Sequence, residues 1–174
     1  YEDYLADLGL LDAIQVENAL DSLHLNANGV TAQQLYRSSK IPFAFNYVDE
    51  TLDVTHENDT AGEHGSHVSG IAAANAYLPQ EDGSFVSALE SVHVQGVAPD
   101  AQLLTMKVFG KGGGAYDSDY MAAIEDAIVL NCDSVNLSLG SGNPGMSTNA
   151  LYQKILSDLE KSGTVVCMSA GNSG

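Results

Sequence analysis

Apolar positions along the chain fall into two rhythms. From Tyr4 to Leu20 they recur every three or four residues, through Leu5, Leu8, Leu11, Ile14, Val16 and Ala19. That spacing predicts one or two amphipathic helices. The run His24 to Gly29 breaks the pattern, and Asn28-Gly29 is a turn signal. Thr31 is placed to cap a short helix through Gln34, Leu35 and Tyr36, and Pro42 resets the chain. Phe43 to Val48 then reads as a strand. Asp49 to Gly62 is polar and acidic and predicts a surface loop. A helix running to about Ala76 follows, with Val68, Ile71, Ala72 and Asn75 at helical spacing, read as buried. Gln80 to Ser84 predicts another exposed loop, and Val92 to Val97 a short strand.

Beyond Pro99 strands and helices alternate. Leu103 to Phe109 is a mostly apolar strand, followed by the glycine-rich stretch Gly110 to Gly114. Asp117 or Ser118 is placed to cap a helix whose inner face carries Tyr120, Met121, Ile124, Ala127 and Ile128. Ser134 to Leu139 is a strand ending at Gly140. Ser147 or Thr148 precedes a helix with Leu151, Tyr152, Ile155, Leu156 and Leu159 inward, closed by Lys161 and Gly163. Thr164 to Ser169 is the last strand. Strands alternating with crossover helices predict an α/β fold. We expect a mainly parallel, doubly wound sheet with helices on both faces, preceded by a helical N-terminal segment over residues 1–42. Ligands bind such sheets at the carboxyl ends of the strands.

Composition narrows the partners. The 174 residues are 44% hydrophobic, enough for one core, and their net charge is −17, from 6 Lys+Arg against 23 Asp+Glu. That excess repels nucleic acid and anionic membrane. No apolar run approaches the roughly 20 residues of a membrane-spanning helix. The chain opens on Tyr1 and stops at Gly174 inside a glycine-rich turn, so we expect a piece of something longer. Cys132 and Cys167 both lie in apolar surroundings and read as two buried thiols, with a single bridge as the alternative.

Candidate chemistry centres on Glu63-His64-Gly65-Ser66-His67-Val68-Ser69-Gly70. Open amides at a helix start disfavour an imidazolium, which suits a neutral His64 that must accept a proton. The plain alternative is a capping histidine. Gly65 and Gly70 are expected to admit a close neighbour. His56, His64 and His67, with Glu57 and Glu63, suggest zinc, but no H-E-x-x-H occurs and the spacing fits no known site. Asp49, Asp53, Glu57 and Asp59 suggest calcium, against the simpler reading of a solvated acidic face. No cofactor is called for.

The segment His64 to Ile71 resembles the H-G-T-H-V-A-G-I segment of subtilisin-like serine proteases, with Ser66 in place of the usual Thr. Gly96 to Ala101 and Lys107-Val108 resemble that family's next strand and its approach. Ser138-Leu139-Gly140 resembles its substrate-binding S-L-G strand, and Ser169 to Gly174 its A-G-N segment. The order over 64–174 is the family's, and the wording is most similar to cell-envelope proteinases of Gram-positive bacteria.

The resemblance implies a secreted or cell-surface endopeptidase acting on an extended peptide or protein. His64 would be the general base and Asn172 an oxyanion-hole donor. Ser138, Leu139 and Gly140 would form one wall of the substrate groove, and Gly112, Gly113 and Gly114 the other, made mobile by its glycines. Residues 43–174 would be the central part of the catalytic domain, the rest of which is its natural partner. Two members of the family's Ser-His-Asp triad have no counterpart. Asp21-Ser22-Leu23 lies in a helical pattern rather than after a strand, and Asp53 and Asp59 have no better claim. Ser66, Ser138 and Ser173 lack the G-T-S-M-A-type context of the nucleophile. We therefore expect no hydrolysis by these residues alone, and an open sheet edge that favours dimerisation. The competing class is a peptide-binding module that keeps the fold without the chemistry.

Overall fold

A computed structural model describes residues 3, 7–25, 29–60, 62–82, 84–88, 90, 95–140 and 149–172. In chain order its elements are α1 (Ala13–Ala19), a 3-10 turn (Leu20–Ser22), α2 (Ala32–Leu35), β1 (Phe43–Asn46) and α3 (His64–Ala73). Then come β2 (Tyr77–Pro79), β3 (Phe85–Ser87), β4 (Leu104–Lys107), α4 (Asp117–Val129), β5 (Ser134–Leu137), α5 (Ala150–Ser162) and β6 (Val165–Met168).

Local chemistry accounts for most element ends. Asp12 caps α1 reciprocally with Gln15: its Oδ1 accepts from the Gln15 amide at 2.8 Å, and Gln15 Oε1 accepts from the Asp12 amide at 2.9 Å. Thr31 caps α2 as expected, its amide donating to Gln34 Oε1 at 2.9 Å. The expected caps of α4 shift by one: Tyr116 is the N-cap, and Asp117 and Asp119 lie in the first turn, where acidic side chains complement the helix dipole. Asn149 caps α5, its Oδ1 accepting from the Leu151 amide at 2.9 Å. The expected caps Ser147 and Thr148 lie outside the described residues. Gly163 ends α5 in the left-handed conformation, φ 79°.

Strand pairing differs from a single sheet. β1 and β4 run parallel, in register from Phe43 opposite Leu104 to Asn46 opposite Lys107. β5 and β6 run parallel, from Ser134 opposite Val165 to Leu137 opposite Met168. Among the described residues no ladder joins the two pairs. β2 and β3 form an antiparallel hairpin across the loop of residues 80–84, which the polar composition of that loop concealed. Of the expected strand over Val92 to Val97, residues 91–94 lie outside the described set and 95–97 are not strand.

α4 bridges the two pairs. Its Ala123 joins Val16, Ala32, Leu35, Phe43, Phe45 and Tyr47 in one buried cluster, against which Leu104 and Met106 pack. Its Tyr120, Met121 and Ile124 join Ile155 and Leu159 of α5 in a second, against which Val135, Leu137 and Val166 pack. α1 and α2 thus share their core with β1 and β4. Inside this packing Asp126 is fully buried. Its carboxylate accepts from the Tyr47 hydroxyl at 2.7 Å, the Leu25 amide at 3.1 Å, His24 Nδ1 at 3.1 Å and the His24 amide.

α3 corrects a second expectation. It ends at Ala73 rather than near Ala76, Ala73 is its one buried residue, and Ile71 is 51% exposed. Val68, Ala72 and Ala73 border an open cleft instead of a closed core. A Cβ on Gly65 or Gly70 would meet nothing within 4 Å, so neither serves a close approach. Gly96 does. Its own Cβ would lie 2.6 and 2.7 Å from backbone atoms of Ala73 and against the Ala74 nitrogen. The contact exists because residues 96–98 lie along the end of α3, donating to the carbonyls of Ala74, Ile71 and Ala72 at 2.8 to 2.9 Å.

Candidate active site

The cleft between the two strand pairs holds about 1650 Å³. Its walls come from β4 (Leu104 to Lys107, continuing to Phe109) and from β5 with the residues after it (Ser134 to Leu139). α3 contributes His64, Val68 and Ala72, and α4 contributes Ile124 and Ala127.

His64 opens α3 at the polar end of this cleft. Its Nε2 lies 2.9 Å from the carbonyl oxygen of Ser138, just beyond the carboxyl end of β5. A carbonyl can only accept, so Nε2 is the donor in this pose. Two parts of the chain 74 residues apart are joined by that contact. From Ser138 the connection continues. The Leu139 carbonyl accepts from Ser169 Oγ at 2.7 Å, and the Leu137 carbonyl from the Ser169 amide at 3.2 Å. A Cβ on Gly140 would come within 3.9 Å of the Gly171 Cα. Ser138, Leu139 and Gly140 thus lie between His64 on one side and the Ser169–Gly171 turn on the other. Asn172 follows that turn, exposed, and is not among the residues lining the cleft.

The glycine stretch forms a hydrogen-bonded turn. Gly113 donates to the Gly110 carbonyl and Gly110 to the Gly114 carbonyl, both at 2.8 Å, so the turn closes on itself. Gly113, with φ 79°, requires glycine and borders the cleft; Gly112 and Gly114 do not border it.

The remaining candidates are dispersed. His56 faces Glu63 at 3.6 Å and Ser66 Oγ at 3.5 Å, whereas His64 faces Ser138. Among the described residues no three His, Cys, Asp or Glu side chains gather closely enough to hold a metal ion. The acidic loop uses its carboxylates one at a time. Asp49 Oδ2 accepts from Asn46 Nδ2 at 2.9 Å. Asp53 accepts from the Thr55 hydroxyl and amide at 2.6 and 2.9 Å, and these bonds hold its carboxyl below the usual aspartate range. Asp59 pairs with Lys107 at 2.7 Å. The cysteines differ from the expected buried pair: both are free thiols, Cys132 half-buried and Cys167 exposed, on β6. Burial, with Asp133 beside it, pushes the Cys132 thiol up to about 11.

Periodicity did not find Lys107, Ser169 or Gly96. Lys107 had a visible signal, a lone charge inside the apolar run Leu103 to Phe109. Ser169 stood out only as part of the segment that resembles the family's A-G-N run, because its partner Leu139 is distant in sequence.

A histidine at a helix start, close to the carboxyl end of a parallel strand, lies on the side of the strands where α/β sheets generally bind ligands. Comparison with known proteins narrows the class. The subtilase family model matches residues 23–174, and the chain belongs to that family. It is 38% identical over 143 residues to the PI-type proteinase of Lactococcus lactis subsp. cremoris, covering 80% of this chain and 7% of that protein. It is 34% identical over 137 residues to the minor extracellular protease Vpr of Bacillus subtilis (strain 168), covering 75% and 14%. With the subtilisin of Bacillus sp. (strain TA39) the identity is 37% over 138 residues, covering 72% and 28%. The chain thus spans 7% of the length of the lactococcal proteinase.

Proposed function

We propose that this chain forms part of a serine endopeptidase that cleaves extended peptide or protein substrates outside the cell or at the cell envelope. One observation carries the reading: the His64 ring sits at the carboxyl end of β5, within hydrogen-bond distance of the segment that resembles the family's substrate strand. His64 is the general base toward a serine and then the acid toward the leaving amine. For that, the Nε2 proton held on the Ser138 carbonyl must give way to a lone pair, so the ring changes tautomer as the carboxylate and the serine come into place. Both of those groups lie outside these 174 residues. The two parallel pairs belong to one doubly wound sheet, and the cleft between β4 and β5 is its unfilled interior.

Ser138, Leu139 and Gly140 pair their backbone with the substrate as an added strand, opposite the glycine turn of residues 112–114. Asn172 donates its side-chain amide to the developing oxyanion. Gly171, the residue before it, lies beside Gly140, which supports that role.

The test is peptide hydrolysis. The 174-residue chain is expected to cleave nothing. In the full-length polypeptide, His64→Ala is expected to lower kcat by about 10⁶-fold and Asn172→Ala by about 100- to 1000-fold; both magnitudes were measured in subtilisin, a member of this family. Turnover that survives His64→Ala refutes the assignment.

A further inference from the structure

We infer that Lys107 is a positioning residue for His64, tying the loop that delivers the histidine to the carboxyl end of β4. The inference rests on the reading of His64 as the proton-transfer group. Lys107 is one of only 6 basic residues in a chain of net charge −17. An ammonium in that field can find carboxylates anywhere on the surface, yet this one is drawn in: the Lys107 side chain is 13% exposed and that of its partner Asp59 15%. Its Nζ lies 2.7 Å from Asp59 Oδ2 and donates to the Thr55 carbonyl, also at 2.7 Å. A largely desolvated pair of this kind is strong when its geometry is fixed, and removing one partner strands the other charge.

A second tie lies one residue further on. The Thr60 amide and hydroxyl both donate to the Lys111 carbonyl, at 2.8 and 2.9 Å. Lys111 sits inside the glycine turn that Gly110 and Gly113 close. Residues 55–60 are therefore fastened to the end of β4 and to the turn beside the cleft. Only three residues separate Thr60 from His64. The start of α3 inherits its position from these two ties, and a misplacement of about 1 Å at a proton-transfer group costs on the order of 100-fold in rate. Neutralising Lys107 leaves Asp59 without its cation; the carboxylate turns outward to water, and the loop and the histidine move with it.

The first test uses the 174-residue chain and NMR. In Lys107→Met, the hydrogen-bonded amides of Asp59, Thr60 and His67 are expected to exchange with solvent at least about ten-fold faster and the His64 ring resonances to shift. The His24 ring, held by Asp126, and the amides of α5 stay within about two-fold of wild type. Lys107→Arg restores the wild-type pattern. No change at these three amides, or an equal change in every helix, overturns the inference. Should Lys107→Met not fold, Asp59→Asn removes the other charge with little change in shape and gives the same local readout. In the full-length polypeptide, Lys107→Met is expected to lower kcat about 10- to 100-fold with KM within about two-fold, and Lys107→Arg to recover most of it. A rise in KM alone overturns the positioning role. If the wild-type polypeptide cleaves no peptide, the reading of His64 falls, while the exchange experiment still decides whether Lys107 holds the loop.

Discussion

Gly96 and Gly70 are the same residue type with opposite consequences. At Gly96 a methyl group would run into the backbone of Ala73 and Ala74, which cannot swing aside as a side chain can. Gly96→Ala is expected to destabilise the fold by about 1–3 kcal/mol, read as a lowered midpoint in urea. At Gly70 the same methyl meets open space within α3. Gly70→Ala is expected to stabilise by about 0.5–1 kcal/mol, because alanine gives up less backbone freedom in a helix. The sequence pointed to the wrong glycine. Glycine in a helical pattern and glycine after a loop look alike until the neighbouring chain is in place, and Gly96 meets its neighbours some twenty residues back. His64 stood out in the sequence because the segment around it is contiguous. Its contact with Ser138 left no mark there, since no local pattern links residues 74 apart.

At the scale of elements, α4 is the joint of the molecule and Asp126 its fastening. One buried carboxylate gathers the loop at His24 and Leu25, the end of β1 at Tyr47, and α4 itself. Burial raises the Asp126 carboxyl above the usual aspartate value, although the His24 and Tyr47 hydrogen bonds pull the other way. The folded chain thus holds this proton more tightly than the unfolded chain does. The contribution of Asp126 to stability is greatest below its ordinary value of 3.8 and declines as pH rises from there through the raised folded value. Asp126→Asn is expected to flatten stability against pH in that window, as read by denaturant unfolding at a series of pH values. It also leaves donors unmatched and costs about 2–3 kcal/mol at neutral pH. The helical periods of α4 and α5 were plain in the sequence, and the strands cover Tyr120, Met121, Ile124, Ile155 and Leu159, but Leu151 and Leu156, expected inward, are 49% and 47% exposed. The period of α3 was equally plain, yet its apolar face borders the cleft; periodicity reports which side is apolar and not whether that side is covered.

At the scale of the whole molecule, the chain leaves apolar surface in water. Val165 and Met168 on β6 are 60% and 63% exposed, and Val97, Tyr77, Leu78 and Val86 are exposed as well. Among the described residues no helix is long and apolar enough to cross a membrane. Exposed apolar patches are also where protein surfaces meet. Self-association is expected, opposed by a net charge of −17. Light scattering after size exclusion should show monomer at low ionic strength and dimer as salt screens the repulsion. A monomer at every salt concentration would contradict this. The strand order was the least legible feature, because parallel pairing joins distant segments and leaves no short-range signature.

Cys167 gives experimental access to this surface. It is the more open of two thiols, and the other, Cys132, is kept protonated by burial at neutral pH. A single maleimide dye can therefore be attached to β6, two residues before the Ser169 hydroxyl that meets the Leu139 carbonyl. Under the function proposed above, its emission would report, in real time and without any turnover, when a peptide lies down beside Ser138.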